Sequence, residues 1–273
     1  MSPLWRDEIG VYLSPQRACL VRMTRGLRPQ LARHDEIKLS GQSEEGEWET
    51  AIAALNALIG TDPWGEARVR VILGDHWVRY VVVPWSSALN AGAERLAHAR
   101  QLLAATYGDP ISDWTVCLAD APPLAPRVAC AMPPMLLQGI RAACAKRGVH
   151  LVSVQPHLIA AYNRWRAALP AAGGWFVTID HGSLAAARLA ESGWDRVHTV
   201  RIGTDWAREL RRLKTFGRLA STTTGEGQVY VDAPQAWREV AGEAGSDLNW
   251  LEESGAALPT TLHQLARVWR LAA

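Results

Sequence analysis

The chain has 273 residues, 48% of them hydrophobic and 21% charged, with a formal net charge of +2. That length suits one or two globular domains with a sizeable core. The near-balanced charge, with no basic block, excludes nucleic acid as an implied partner. The four cysteines stand far apart with no Cys-x-x-Cys pair, which is the pattern of reduced thiols held in apolar surroundings. Thirteen Trp against two Phe is the unusual count, and most of these indoles are expected in the core. The N-terminus carries no long apolar run, so neither a signal peptide nor a membrane span is expected.

In chain order, Ile9 to Ser14 and Ala18 to Met23 read as a hairpin around Pro15-Gln16-Arg17, with a third strand at Leu31 to Leu39. Ser43 is a candidate N-cap for a helix that stops near Gly60, striped by Ile52, Leu55 and Ile59. Val69 to Leu73 and Trp77 to Val83 flank Gly74-Asp75-His76 and read as a second hairpin. Ser86 or Ser87 then caps a helix over about Asn90 to Tyr107. Trp114 to Leu118 and Arg127 to Met132 are strands. A helix opens on Pro133-Pro134 and ends at Lys146-Arg147-Gly148. Val149 to Val154 is a strand, Gln155-Pro156 turns, and Leu158, Tyr162, Trp165 and Leu169 stripe a helix.

After the small, Pro- and Gly-bearing stretch Ala168 to Gly174, three strands follow at Trp175 to Ile179, Ala185 to Ala190 and Val197 to Ile202. A helix over Asp205 to Leu213, capped by Thr204 or Asp205, a strand at Gln228 to Val231 and a closing helix at Thr260 to Leu271 complete the order. Strand-strand-strand-helix therefore occurs twice, at Ile9 to Gly60 and at Trp175 to Leu213, which points to a duplicated α/β architecture.

This order resembles the actin-like ATPase fold, built from two ribonuclease-H-like halves. The run Val69 to Gly74, then Val78 to Trp85 and a helix, is similar to the cytoplasmic domain of GspL of type II secretion. So is Val128 to Met132, followed by a helix to Gly148, then Val149 to Pro156 and another helix. PilM and MshI of type IV pilus systems share the plan. The resemblance implies a two-lobed α/β fold. Its first ribonuclease-H-like lobe would cover 1–170, with an inserted subdomain at about 76–155, and a second, reduced lobe would cover 171–273.

In such a fold two glycine-bearing hairpin turns hold phosphates with backbone N–H groups, and an acid positions Mg²⁺ or water. In Gly10-Val11-Tyr12-Leu13-Ser14-Pro15, Tyr12 stands where the acid belongs and Ser14 where the turn glycine belongs, while Pro15 removes a donor. Ile179-Asp180-His181-Gly182-Ser183 keeps its acid and its glycine. Asp180, Gly182 and Ser183, with Ser14, are therefore the candidates for a vestigial phosphate loop, although Asp-x-Gly is also an ordinary turn. Gly225-Glu226-Gly227 is a poor substitute for an adenine-binding turn.

No catalytic or metal site is expected. The eight His residues show no ligand spacing, no Gly-x-Ser-x-Gly elbow occurs, and Tyr12 on the first strand disfavours a two-metal nuclease. Glu44, Glu45 and Glu47 form one charge run and Arg208, Arg211 and Arg212 another. These are solvated faces, or in the arginine case a contact for an acidic partner peptide.

The resemblance implies a cytoplasmic scaffold of a pilus or type II secretion assembly platform, peripheral to the inner membrane. It would bind a segment of a PilN-like membrane protein, with the assembly ATPase and self-association as further contacts. No cofactor is expected; ATP with Mg²⁺, bound by a functional actin-like ATPase, is the alternative. Trp77, Arg79 and Trp85 on the inserted subdomain are the expected partner-binding residues.

Overall fold

The computed structural model describes residues 8–24, 31–39, 48–60, 64, 67–89, 91–108, 111–180, 182–203, 206–219, 228–234, 237–239 and 247–251. They fall into two compact units, one within Met1–Trp77 and Pro134–Arg164, the other within Val78–Pro133 and Trp165–Ser254.

The first unit is organised on a five-stranded sheet. β1 (Glu8–Leu13), β2 (Arg17–Met23) and β3 (Leu31–Lys38) form an antiparallel meander. β4 (Arg68–Leu73) and β8 (His150–Pro156) run parallel to β1, giving the order β3-β2-β1-β4-β8. β1 is buried from Ile9 to Leu13, as a central strand covered on both faces must be. The pleat puts Tyr12 on one face with Cys19, Val21 and Ile72, against Ala160 of α4 (His157–Trp165).

α1 (Glu49–Leu58) packs on the meander and against α3 (Pro134–Lys146). Gly139 permits that approach, because a Cβ there would lie 3.1 Å from two carbons of Ile52. α1 starts at Trp48 without a side-chain cap; the expected cap Ser43 lies outside the described residues.

β4 and β5 (Arg79–Val83) do not pair, which corrects the expected hairpin. β4 is a parallel member of the large sheet. A 3-10 turn at Asp75–Trp77 then redirects the chain, and β5 enters a separate three-stranded antiparallel sheet of order β5-β7-β6. Its other strands are β6 (Thr115–Leu118) and β7 (Arg127–Met132). α2 (Gly92–Tyr107) covers it, with Ala99 and Leu103 buried against Val81, Val83 and Ala129. The cap of α2 is Ala91, whose N–H donates to Glu94 Oε2 at 3.0 Å, and neither Ser86 nor Ser87 fills that role. The expected insertion at about 76–155 thus divides: 78–133 belongs to the second unit, and 134–155 supplies α3 and most of β8 to the first.

The second unit also holds β9 (Trp175–Asp180), β10 (Ser183–Ala190), β11 (Gly193–Arg201), α5 (Trp206–Leu219), β12 (Val229–Asp232) and β13 (Asn249–Trp250). Their sheet order, β11-β10-β9-β12-β13, repeats that of the first sheet element for element. Trp175, Val177 and Ile179 point to one face and pack with Trp206 and Leu210 of α5 and with Val229 and Val231. Trp206 meets Trp237 and Trp250 edge to face at centroid distances of 6.1 Å. β11 also packs against β5 and β7. β13 falls in a stretch with no expected element, and the expected closing helix at 260–271 lies outside the described residues.

Candidate functional site

The two hairpin turns that carry the sequence candidates are built differently. In the first unit, Ser14 is fully buried and Arg17 is 4% exposed. The Ser14 N–H donates to the Arg17 carbonyl at 2.9 Å. The Ser14 hydroxyl donates to the same carbonyl and accepts the Arg17 N–H, both at 3.3 Å. The Ser14 N–H and hydroxyl are therefore both engaged within the turn. The Arg17 guanidinium lies 5.3 Å from the centre of the Tyr12 ring, a cation–π distance, and burial lowers its pKa. Gly74 closes over the turn: its N–H donates to the Leu13 carbonyl at 2.7 Å. A Cβ at Gly74 would sit 3.1 Å from that of Ser14 and 3.3 Å from the Tyr12 hydroxyl.

Beyond Gly74, Asp75 is buried at the carboxyl end of β4. Its Oδ1 accepts the Leu158 N–H at 3.2 Å, at the amino end of α4, where helix N–H groups lack partners in their own helix. His157 Nδ1 is 3.7 Å from Asp75 Oδ2, and the His157 ring meets Tyr12 edge to face at 5.7 Å. Tyr12, Ser14, Arg17, Asp75 and His157 thus form one buried polar knot. The sequence reading named only Ser14 as a site residue, because Asp75 reads locally as a turn residue and His157 as a helix residue. A Gly-Asp pair ending an apolar strand was the available signal.

In the second unit, Asp180 and Ser183 are register partners across a two-residue turn, and Gly182 takes a φ of 75°. That left-handed conformation suits glycine. The Gly182 carbonyl accepts the Ile202 N–H at 2.9 Å. Asp180 and Ser183 are buried, and so are Thr178 and Asp232, which pair across the parallel strands β9 and β12. Asp180, Thr178 and Asp232 therefore gather at the carboxyl ends of two parallel strands, the end at which ligands sit in open α/β sheets. Asp232 was missed in sequence because it closes a four-residue strand with no flanking glycine. His181 lies outside the described residues.

The expected partner residues part company. Trp77 is 5% exposed and serves the core, so it offers no contact surface. Arg79 spreads its guanidinium over Tyr107 and Trp114 at 5.8 and 5.6 Å. Trp85 is 53% exposed, and Leu124, which the sequence did not single out, is 67% exposed. Val83 pairs with Arg127, so Trp85, just past β5, and Leu124, just before β7, lie at the same end of the three-stranded sheet. Leu124 also holds a φ of 64°, the one positive value of a non-glycine residue among the described residues.

Among the described residues no His, Cys, Asp or Glu group could hold a metal ion, and no helix is long and apolar enough to cross a membrane.

No protein-family model matches the chain, nor does any curated protein. Among solved structures, it is similar to a PilM-PilN type IV pilus biogenesis complex at 16% identity and a TM-score of 0.67, over 89% of this chain and 87% of that one. It is also similar to the cytoplasmic domain of EpsL, an inner membrane component of the type II secretion system of Vibrio cholerae. That match has 11% identity and a TM-score of 0.54, over 84% and 82% of the two chains. A protein of Bacteroides thetaiotaomicron with an actin-like ATPase fold matches at 9% identity and a TM-score of 0.58, over 91% of each chain. Two sheets of one strand order and these likenesses lead to one conclusion: the chain has the actin-like ATPase fold, and its resemblance to PilM and the GspL cytoplasmic domain holds at the level of that fold.

Proposed function

We propose that the chain is a cytoplasmic adaptor of a type IV pilus or type II secretion assembly platform. It binds a segment of a PilN-like inner-membrane protein and turns over no nucleotide. The likeness to the PilM-PilN complex and to EpsL over most of each chain supports the setting. The observation that carries the adaptor reading is the closed β1–β2 turn. A phosphate-holding hairpin presents free backbone N–H groups to its ligand. Here the Ser14 N–H and hydroxyl are both engaged with Arg17 inside the turn, and Tyr12 replaces the acid. These residues do not suit Mg·ATP. The acids at Asp180 and Asp232 serve as structural polar groups at the strand ends. Trp85 and Leu124 supply the apolar docking surface, since exposed large hydrophobics that gather at one edge mark interaction sites.

Calorimetric titration and thermal unfolding with Mg·ATP test the nucleotide part. A ligand held at 100 times its Kd would stabilise the fold by about 2.7 kcal/mol, and no shift is expected here. A saturable stabilisation that disappears in Asp180→Ala would overturn the reading in favour of an ATP-binding protein. Co-purification with the cytoplasmic segment of a PilN-like protein, lost in Trp85→Ala, tests the docking part; binding that survives both Trp85→Ala and Leu124→Ala removes that surface.

A further inference from the structure

A groove of about 670 Å³ runs between β11 and α5 in the second unit. We propose that it binds an acidic segment of a partner protein in extended form, carrying two carboxylates two residues apart. The inference does not depend on whether the first hairpin binds nucleotide or where a PilN-like segment docks. Arg208, Arg211 and Arg212 of α5 recur at i, i+3 and i+4 and so share one face of the helix. Arg196 and His198, two apart, share one face of β11. Among the described residues, four guanidinium groups thus line the groove with one carboxylate, Glu209, which Arg212 holds at 2.8 Å. Among the described residues, none makes an ion pair with Arg196, Arg208 or Arg211.

The floor supplies a second, separate sign of a ligand. Trp175 is 2% exposed, and its indole N–H has no hydrogen-bond acceptor. A buried donor left unmade is costly, and native structures keep few of them. An oxygen of the occupant would satisfy it once the enclosed indole shifts toward the groove.

Size and charge select the occupant. The volume lies in the range of pockets that enclose a small ligand or a few peptide residues, and a concave groove does not suit a planar membrane surface. The chain as a whole is nearly neutral, so the arginines are a local feature and make no stripe along which a nucleic acid could track. Aliphatic arginine stems line the groove above the indole floor, which favours a peptide with apolar as well as acidic groups over a bare anion. Arg208 to Arg212 spans about 6 Å along the helix, close to the roughly 6.8 Å between same-side residues of an extended chain. Paired Arg–carboxylate forks fit that spacing.

The test is fluorescence anisotropy of the full chain with a short labelled peptide carrying Glu-Leu-Glu. Saturable binding is expected, at least about tenfold weaker in the doubly substituted Arg208→Ala, Arg211→Ala protein and in Trp175→Phe, which keeps an aromatic ring and loses the donor. Both arginines are exposed, so the double variant should unfold at the same urea concentration as the parent. Equal binding of the Gln-Leu-Gln peptide, or unchanged affinity in the double variant, would overturn the proposal. Tighter binding of tripolyphosphate or of anionic vesicles would overturn it in favour of a phosphate site. A concentration-dependent dimer that the double variant dissolves would reassign the groove to a second copy of this chain.

Discussion

Asp75→Ala distinguishes a structural carboxylate from a ligand-binding one. The group is 4% exposed and accepts the Leu158 N–H at 3.2 Å at the start of α4. Truncation leaves that buried donor without this acceptor. A hydrogen bond to a charged group contributes about 1.5–3 kcal/mol net, and a partly buried carboxylate at a helix N-terminus contributes up to about 2 kcal/mol. These overlap, since the same N–H groups carry the positive end of the helix dipole. The expected loss is therefore about 2–4 kcal/mol, a large share of a typical total of about 5–15 kcal/mol. Asp75→Asn keeps an acceptor oxygen and should lose roughly half as much. Urea unfolding followed by circular dichroism reads both, provided the slopes match the parent. A loss under about 0.5 kcal/mol in Asp75→Ala, the usual range of inconsequential surface changes, would refute the structural role. A Mg·ATP-dependent shift in the parent that Asp75→Asn abolishes would make the carboxylate a ligand instead.

Leu124→Gly should raise stability by a few tenths of a kcal/mol to about 1 kcal/mol, because it relieves a left-handed leucine costing about 1–2 kcal/mol against glycine's entropy. The same change should weaken partner docking; thermal unfolding and co-purification together check the opposite signs. Cys117 is exposed and should react with a maleimide in the folded protein, while Cys19 and Cys144, buried and pushed up by desolvation to about 12 and about 11, should react only on unfolding, as mass spectrometry would read. Cys117 and Cys130 face each other across β6 and β7, and their Cα separation falls within disulfide reach in either type of antiparallel pair, so mild oxidation should cross-link them; failure would argue against that register. His198 has its pKa lowered, first by desolvation, then by Arg196, against an opposing pull from Glu209. The unfolded chain takes up that proton first, so stability is intact above about pH 6.5 and falls as the pH drops below it. Urea midpoints at neutral and mildly acid pH should differ less in His198→Gln than in the parent.

Local signals carried most of the element order. β1 to β3, α3 and β9 to β11 follow directly from alternation, proline at helix starts and apolar stripes, and the repeated order led to the fold. Pairing was less legible because it is non-local. Val69 to Leu73 and Trp77 to Val83 look like two arms of a hairpin, yet β4 finds its partners in β1 and in β8. The β9–β10 turn was legible because it is locally marked, as Asp180-x-Gly182. The rest was hidden where distant residues come together, as Asp75 does with His157 and Leu158, and as Arg196 and Arg208 do in lining one groove. Trp77 misled for the same reason: an indole beside a turn has no sequence mark that separates a core ring from a surface one.

The parallel seating of β8 beside β4 also dictates when the first sheet becomes complete. Roughly 80 residues separate the two strands, and closing such a loop costs about 4 kcal/mol in chain entropy. At about 5–20 residues per second on the ribosome, β8 emerges some 4–16 s after β4. Through that interval β4 has one side unclaimed, a template for the wrong neighbour. Arg68 and Arg70, alternating with Val69 and Val71, place charge along that waiting edge, the usual guard against mispairing. Replacing them with valine should leave the finished fold intact and lower the yield of soluble chain during synthesis.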